Sequence, residues 1–397
     1  MAELKRRLTL PLLAFYGLGS IVGAGIYVLL GEVAGIAQAS MGLAFLLAGL
    51  IAGLTGFSYA ELSSRYPKSG GSVLFVDIAF ERPWLSRVMA FVLLFTSAVS
   101  SAVICHGFVG YFQLYIEWSS PLIIVLLCGV MFLVASWGIR ESAILISIIT
   151  LLEVGGLILV CFVASELPQR ESFVQIIDAS AGIGAITAAA FIAFYAFIGF
   201  EDMVSVAEEV IEPEVTMPRG ILIAITSSSL LYFSIAVVAT LRIDLQLLSE
   251  SASPLALMVG HDLSAMHKVS LIGMVAILNG ALVQIIMSAR VLYGMADRKL
   301  IPEFFGRVNP ITHTPVGNTF VTCLVVMALA LSFDLVALAK VTSAMMLAIF
   351  VLVNLSLIRI KLKQPDNLAF NMPIAMPVVA LLCTFGLLVQ QILTGFT

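Results

Sequence analysis

Long apolar segments separated by short polar stretches recur along the whole chain. Eleven of them are long enough to cross, as helices, the roughly 30 Å hydrocarbon core of a bilayer. The predicted spans are residues 10–30, 41–63, 87–116, 121–138, 142–164, 183–205, 218–241, 269–296, 316–334, 336–358 and 372–394. They are too long and too weakly alternating to be barrel strands. The pattern therefore predicts an all-α membrane protein with about eleven transmembrane helices, the ninth and tenth forming a tight hairpin.

Composition supports lipid as the solvent. Of 397 residues, 61% are hydrophobic and 11% are charged, against about 25% charged in an average soluble domain. A single soluble core stops growing near about 250–300 residues, so a soluble fold could not bury this much apolar surface. The lipid bilayer is thus the first predicted partner. The chain has no basic tail of the kind that binds nucleic acid, so we expect no nucleic-acid partner.

Lysine and arginine are distributed unevenly between the two sets of loops, which predicts the orientation. Fifteen fall in loops on the side of the N-terminus, and only Arg170, Arg242, Lys268 and Lys340 on the other. The fifteen are Lys5, Arg6, Arg7, Arg65, Lys68, Arg82, Arg87, Arg140, Arg219, Arg298, Lys299, Arg307, Arg359, Lys361 and Lys363. We expect a multi-pass protein of the cytoplasmic (inner or plasma) membrane with its N-terminus inside.

Glycines and acids interrupt the first and sixth spans near their centres. The first span contains Gly19, Gly23 and Gly25, and in the sixth Gly199 is followed by two carboxylates. Glycine costs about 1 kcal/mol relative to alanine inside a helix, so both helices are predicted to be discontinuous. Close packing through small residues is the alternative for the first span.

Spans one and six are five apart and therefore run in opposite directions, as an inverted repeat requires. We predict a first five-helix repeat at residues 10–164, a second, inverted repeat at residues 183–360, and an additional C-terminal helix at residues 370–395. Free N–H groups at one break attract a carboxylate, and free carbonyls at the other accept an ammonium. A zwitterionic amino acid fits this pair of helix ends.

Four segments in order along the chain resemble the amino acid–polyamine–organocation superfamily of permeases, which adopts the leucine-transporter fold. They are GSIVGAGIY (19–27), YAELSSRYPKSGGS (59–72), FYAFIGFEDMVSVAEEVIEPEVTMPRGI (194–221) and SARVLYGMADRKLIPEFFGRVNPITHTPVGN (288–318). The resemblance covers nearly the whole chain and implies an amino acid transporter. We expect eleven spans where that superfamily commonly has twelve, and the oligomeric state stays open.

The resemblance implies which residues surround the substrate. On the first helix they are Ser20, Ile21, Gly23, Ala24 and Gly25, mostly through backbone atoms. On the sixth they are Tyr195, Ala196, Phe197 and Ile198, with Tyr195 or Phe197 as an aromatic gate. Helix or lipid packing is the alternative role for these aromatic rings. Gln284 in the eighth span could also face the substrate.

Charged groups inside the membrane are costly, so each calls for a role. Glu153 lies in the middle of the fifth span, where several proton-coupled relatives carry a lysine, and Asn279 is a plausible hydrogen-bond partner. Glu153, Glu201 and Asn279 are the predicted proton-coupling residues, with a purely structural role as the alternative for each acid. Small or apolar substrates are slightly favoured, because no fixed carboxylate faces the pocket unless Glu201 turns inward.

Competing functions are weaker. No nucleophile–base set and no metal-ligand spacing of Cys or His residues occurs, so we expect no enzyme, no metal and no cofactor. The sequence predicts secondary active transport of amino acids by alternating access, with proton-coupled symport favoured. Exchange of amino acids, or of an amino acid for a polyamine, is the alternative, and a sensor that binds without transporting is the third.

Overall fold

The computed structural model of the chain describes residues 6–68, 70–137, 143–171, 182–297, 301–310, 312, 314–363 and 370–393. Lys5, Arg140, Arg298, Lys299 and residues 394–395 of the predicted C-terminal helix lie outside the described residues. Helices dominate the described part, and its one β-type contact is an isolated parallel bridge between Leu8 and Val210. The all-α prediction is confirmed.

Nine helical stretches in the described part are long and apolar enough to cross a membrane, and one of them, Gly25–Arg65, joins the second half of the first span to the second span. The shorter helix Val316–Ser332 and the complete first span bring the number to eleven. Spans two to five are Met41–Arg65, Pro83–Phe112, Ser120–Trp137 and Ala143–Ser165, and spans seven to eleven are Pro213–Arg242, Leu263–Asp297, Val316–Ser332, Leu335–Lys363 and Ala375–Leu393.

The first and sixth spans are each built from separate pieces. The first consists of Leu10–Val22 and Ala24–Ala37, and the sixth of the α-helix Gly182–Ala193 followed by the 3₁₀ helices Phe194–Phe197 and Phe200–Glu209. The predicted discontinuities are therefore present at the predicted places. The repeat boundaries at residues 10–164 and 183–360 stay predictions.

Burial separates the inner spans from the lipid-facing ones. In the second half of the first span the four consecutive residues 26–29 are at most 6% exposed, and since they point to different sides of the helix, this half is surrounded by protein. By contrast Leu133 of the fourth span and Phe162 of the fifth are about two-thirds exposed, at 65% and 66%. The broken helices thus lie inside the bundle, and the outer spans present apolar side chains to the surroundings.

The tight hairpin between spans nine and ten is confirmed. Span nine ends at Ser332 and span ten begins at Leu335. Asp334 in the turn accepts a hydrogen bond from the backbone N–H of Ala337 at 2.8 Å, which satisfies one of the free donors at the start of span ten. His106 of the third span also reaches this turn, with Nε2 3.0 Å from the Phe333 carbonyl oxygen.

Short helices connect the spans on both faces. Gly71–Phe80 lies between spans two and three, on the face that holds the start of the chain, and Leu245–Glu250 and Pro254–Met258 lie between spans seven and eight on the opposite face. We call these the N-terminal face and the opposite face. On the N-terminal face, the side chain of Lys363 donates a hydrogen bond to Glu81 at 2.9 Å, which lowers the pKa of that exposed carboxyl.

Candidate functional site

The break in the first span leaves backbone groups without helical partners. Leu10–Val22 ends just before Gly23, and a new helix begins at Ala24. The first N–H groups of a helix have no partner within it and carry the positive end of the helix dipole. These N–H groups lie in the middle of the bundle, where they could receive an anion.

The break in the sixth span depends on Gly199. Its φ of 130° lies in a region that residues with a side chain rarely adopt. A Cβ atom at this position would also overlap the carbonyl group of Ser20, so the two breaks are in direct contact here. Glu201 stabilises the turn, because its Oε2 accepts the Gly199 N–H at 2.9 Å.

A second close approach joins the two broken helices at Gly25. A Cβ atom there would overlap the backbone of Ala196 in the sixth span. Between these contacts, the hydroxyl of Tyr232 from the seventh span lies 2.8 Å from the Ile21 carbonyl oxygen and 3.1 Å from that of Ala196. The single proton of this hydroxyl is therefore shared between two carbonyl oxygens, one from each break.

A cavity of about 110 Å³ lies beside the two breaks. Spans one and six supply one part of its wall, and spans three, eight and ten supply the rest. Nine of the residues predicted from the sequence line it: Ser20, Ile21, Gly23, Gly25, Tyr195, Ile198, Glu201, Asn279 and Gln284. The structure thus brings most of the predicted substrate and coupling residues to one place.

Other predicted residues lie apart from the cavity lining. Ala196 and Phe197 are 1% exposed, and the Phe197 ring packs edge-on against Tyr232 with centroids 5.2 Å apart. Tyr195 does line the cavity, and its hydroxyl bonds Ser100. Ala24 contributes the first residue of the second helical half, and its side chain lies outside the described part. Of the two aromatic gate candidates, only Tyr195 is placed at the cavity.

Glu153 is buried at 1% exposure, and neither of its carboxylate oxygens has a hydrogen-bond partner within the described residues. The expected hydrogen bond to Asn279 is therefore not formed. The hydroxyl of Tyr27 in the first span lies 3.3 Å from the backbone oxygen of Glu153. One turn earlier, Thr150 lies against the first span, because a Cβ atom at Gly19 would overlap its side chain. Glu153 thus lies beside the first span but outside the cavity lining.

Sequence reasoning missed several residues that line the cavity or hold the breaks. Thr96, Ser97 and Ser100 of the third span and Asp202 of the sixth line the cavity. The small polar run Thr96–Ser101 inside an apolar span was a readable signal of a polar wall. Tyr232 gave no such signal, because a lone tyrosine in an apolar span has the same pattern as a packing residue.

Glu61 is the best-paired buried acid on the N-terminal face. Its Oε1 accepts from Arg65 at 2.8 Å and from Lys361 at 2.5 Å, and its Oε2 accepts the backbone N–H of Met372 at 2.9 Å. Glu61 is therefore the centre of a buried ion-pair cluster with one arginine and one lysine.

Comparisons with known proteins agree with this geometry. Residues 8–396 match the sequence profile of the amino acid permease family. The chain is 28% identical to a vacuolar cationic amino acid transporter of Arabidopsis thaliana, across 92% of this chain and 61% of the relative. It is 26% identical to a branched-chain amino acid permease of Bacillus subtilis, across 97% and 88%. It is also 26% identical to a methylthioribose transporter of the same organism, across 96% and 86%.

The chain spans about three-fifths of the length of the plant relatives that it matches, and most of the length of the bacterial ones. The family profile, in contrast, matches nearly the whole chain, from residue 8 to residue 396. The broken first and sixth helices and the cavity between them all lie within that range. The chain belongs to the amino acid permease family.

Proposed function

We propose that the chain is a secondary active transporter that carries amino acids across the cytoplasmic membrane by alternating access, in symport with protons. The observation that carries the proposal is the meeting of two broken helices at a cavity inside the bundle. Such a cavity provides unpaired backbone groups at membrane depth, where an apolar channel wall or a packing core would provide none.

The α-carboxylate of the substrate is assigned to the first break. The N–H groups at the start of Ala24–Ala37 are free of helical partners. At Gly23 the space beside the backbone is open, since a Cβ atom there would meet only the Gly19 carbonyl oxygen, at 3.8 Å. A carboxylate can therefore approach these N–H groups closely.

The α-ammonium is assigned to the side of the sixth span. Glu201 and Asp202 both line the cavity there, and neither forms an ion pair with a lysine or arginine in the described part. Tyr232 already occupies the Ile21 and Ala196 carbonyls. Negative charge from the acids, rather than those two carbonyls, is thus the main attraction for the ammonium.

Glu153 is assigned the coupling proton. A buried carboxyl group without hydrogen-bond partners is less costly to hold neutral than ionised. Its oxygens have no such partners in the described part of the chain, and it lies on the span that packs against the first half of the broken first helix. Gain and loss of one proton would change the charge beside that helix. A fixed carboxylate that holds a sodium ion is the second mechanism.

The names of the relatives support amino acids as the substrate class without choosing one. One is a cationic amino acid transporter and another a branched-chain amino acid permease, while a third transports methylthioribose. Methylthioribose is a sugar derivative without amino or carboxylate groups, so the zwitterionic backbone is shared only by the substrates of the first two relatives. That backbone is the part of the substrate that we transfer to this chain, because it fits the two helix breaks.

Uptake into liposomes tests the proposal. The purified chain is reconstituted and offered a panel of radiolabelled amino acids, with and without an inward pH gradient. We expect uptake of at least one amino acid above protein-free liposomes and accumulation only with the gradient. Uptake that needs amino acid inside the liposomes would indicate exchange, and binding without uptake would indicate a sensor; either result would overturn symport.

Glu153→Gln tests the coupling residue, because glutamine has the shape of the protonated acid without its proton. This variant should retain substrate binding and exchange across the membrane but lose accumulation driven by the pH gradient. Glu166→Gln, the same change at the exposed end of the same span, is the matched control and should accumulate normally. Gradient-driven accumulation in Glu153→Gln would remove this residue from the mechanism, and a sodium requirement in the unmodified chain would favour the second mechanism.

A further inference from the structure

The cavity has a second wall that the two helix breaks do not form. Spans three and eight pack side by side along their length, and their cavity-lining residues include Ser97, Ser100, Asn279 and Gln284. These four side chains are polar and uncharged, and they lie among the apolar lining residues Leu93, Ile104 and Val283 of the same two spans. This wall is where the side chain of a substrate would lie if its backbone occupied the breaks.

Two of these side chains are fixed by hydrogen bonds within the protein. Gln284 donates from Nε2 to the Ser100 hydroxyl at 3.0 Å, and its Oε1 lies 3.1 Å from the Ser101 hydroxyl, whose single proton it shares with the Ser97 carbonyl. The Ser100 hydroxyl also lies 2.9 Å from the Tyr195 hydroxyl. Because a carboxamide has two N–H donors and only one is used here, Gln284 holds the second in a fixed orientation.

The other two side chains, Ser97 and Asn279, have free hydrogen-bonding groups. Serine and threonine hydroxyls in apolar helices commonly bond a carbonyl one turn earlier, as Thr96 does to Val92 at 2.7 Å and Ser101 does to Ser97 at 2.8 Å. The hydroxyl of Ser97 and the carboxamide of Asn279 form no hydrogen bond to any residue that the structure describes. Both are therefore available to a ligand in the cavity.

A wall with a free hydroxyl, a free carboxamide and a spare amide N–H matches a ligand group that both donates and accepts. A hydroxyl or a carboxamide does this. An aliphatic side chain of the same shape would strip water from the three groups and give them no partner, and sites of this type discriminate strongly against such analogues.

The cavity also limits the size of the ligand. At about 110 Å³ it has room for about four water molecules at their liquid volume of about 30 Å³ each. A small amino acid fills that space. The acids of the sixth span are the one feature that would favour a cationic side chain, but Glu201 is engaged in capping the Gly199 N–H.

We propose, on the basis of the transport function proposed above, that Ser97, Asn279 and Gln284 form the side-chain subsite and select small amino acids with a hydroxyl or carboxamide group. This keeps the small size that the sequence analysis favoured and departs from its apolar alternative. Threonine and valine are the decisive pair of probes, because they have the same shape and differ by one hydroxyl in place of a methyl.

The experiment measures uptake of radiolabelled threonine and valine by the reconstituted chain. We expect a half-saturation concentration for threonine at least tenfold below that for valine. Asn279→Leu keeps the size of the side chain and removes its polarity, and should raise the value for threonine at least tenfold while leaving or lowering that for valine. Ser97→Ala, a smaller change, should reduce the preference in the same direction. Ser234→Ala, whose hydroxyl bonds only its own helix, is the control and should keep the preference.

The outcomes separate this inference from the proposed function. Uptake of amino acids with equal values for threonine and valine overturns the subsite and leaves transport intact. A preference for lysine or arginine over threonine overturns it as well and assigns the side chain to Asp202. If no amino acid is bound or taken up, both proposals fail. Should Asn279→Leu not fold, Ser97→Ala decides, and retained valine uptake shows that a variant is folded.

Discussion

Two glycines of the first span, Gly23 and Gly25, lie two residues apart and have different surroundings. A Cβ atom at Gly25 would overlap the backbone of Ala196, whereas one at Gly23 would meet only a carbonyl oxygen at 3.8 Å. Gly25 therefore permits the close approach of two helices, and Gly23 leaves the backbone open to the cavity. The sequence alone placed both in one substrate-binding group.

Alanine at each glycine distinguishes the two roles. Gly25→Ala should destabilise the protein by about 1–3 kcal/mol, the usual cost of an extra group in a packed interior. Gly23→Ala should weaken amino acid binding at least tenfold, because a methyl group would cover the free N–H groups. Thermal unfolding in detergent and ligand binding measure the two effects. An unchanged midpoint in Gly25→Ala, or unchanged affinity in Gly23→Ala, contradicts this division.

Tyr232 holds both breaks with one hydroxyl. Tyr232→Phe keeps the ring contacts with Phe45 and Phe197 but leaves the carbonyls of Ile21 and Ala196 buried without that donor. We expect a loss of about 1–3 kcal/mol of stability, the usual cost of an unsatisfied buried group. Bound substrate should raise the thermal midpoint of the variant less than that of the unmodified chain, because without this hydroxyl the two breaks are held less firmly in the binding geometry.

Tyr115→Phe supplies the matched control for this substitution. It removes a hydroxyl that is exposed and 3.3 Å from the His267 carbonyl oxygen. Its free energy of unfolding should therefore stay within about 0.5 kcal/mol of the original, as for most surface changes. Equal effects of the two substitutions would show that the position of Tyr232 between the breaks has no special importance.

At the scale of elements, a buried charge cluster joins three spans on the N-terminal face. Glu61 at the end of span two binds Lys361 of span ten and the backbone of Met372, which precedes span eleven. Lys361 also donates to the Asn371 side chain at 2.6 Å. Nearby, the hydroxyls of Tyr59 and Ser72 lie 2.6 Å apart and tie the connecting helix Gly71–Phe80 to span two. The cluster closes this end of the bundle.

Glu61→Gln should open that end. Removing one partner of a buried ion pair leaves the remaining charges uncompensated and typically costs about 3–5 kcal/mol. We therefore expect a lower thermal midpoint and faster amide hydrogen exchange in residues 370–374. Glu250→Gln on the exposed helix of the opposite face should change neither. Unaltered exchange in residues 370–374 would mean that Glu61 does not hold this segment.

At the scale of the whole molecule, the sequence predicted the architecture and most of the cavity. Apolar length predicted the eleven spans because the thickness of a bilayer fixes the length of a helix that crosses it. Glycine and acid residues predicted the two breaks because each weakens a helix in lipid. Each of these signals lies within a single segment of the chain, so it can be recognised without knowing how the segments pack.

What the sequence did not predict depends on contacts between distant segments. The bond from Tyr232 to both breaks, the polar wall of Ser97 and Ser100, and the lack of a bond between Glu153 and Asn279 follow from how spans pack. The 3₁₀ form of Phe200–Glu209 was also not anticipated, although its less buried polar residues Asp202, Ser205 and Glu208 recur every third position, the period of that helix.

The charges predict the orientation of the whole bundle, and this prediction is directly testable. The connecting helices Leu245–Glu250 and Pro254–Met258 lie on the face opposite Arg7, and the lysine and arginine residues favour the N-terminal face. Alkaline phosphatase, which is active only outside the cytoplasm, should therefore be active when fused after Gly260 and inactive when fused after Gly306. A green fluorescent protein at the same two positions should give the reverse pattern. If phosphatase is active after Gly306 instead, the bundle is inverted. Protons driven by an inward gradient would then reach Glu153 from the opposite face of the protein, so the proposed direction of proton movement would be wrong as well.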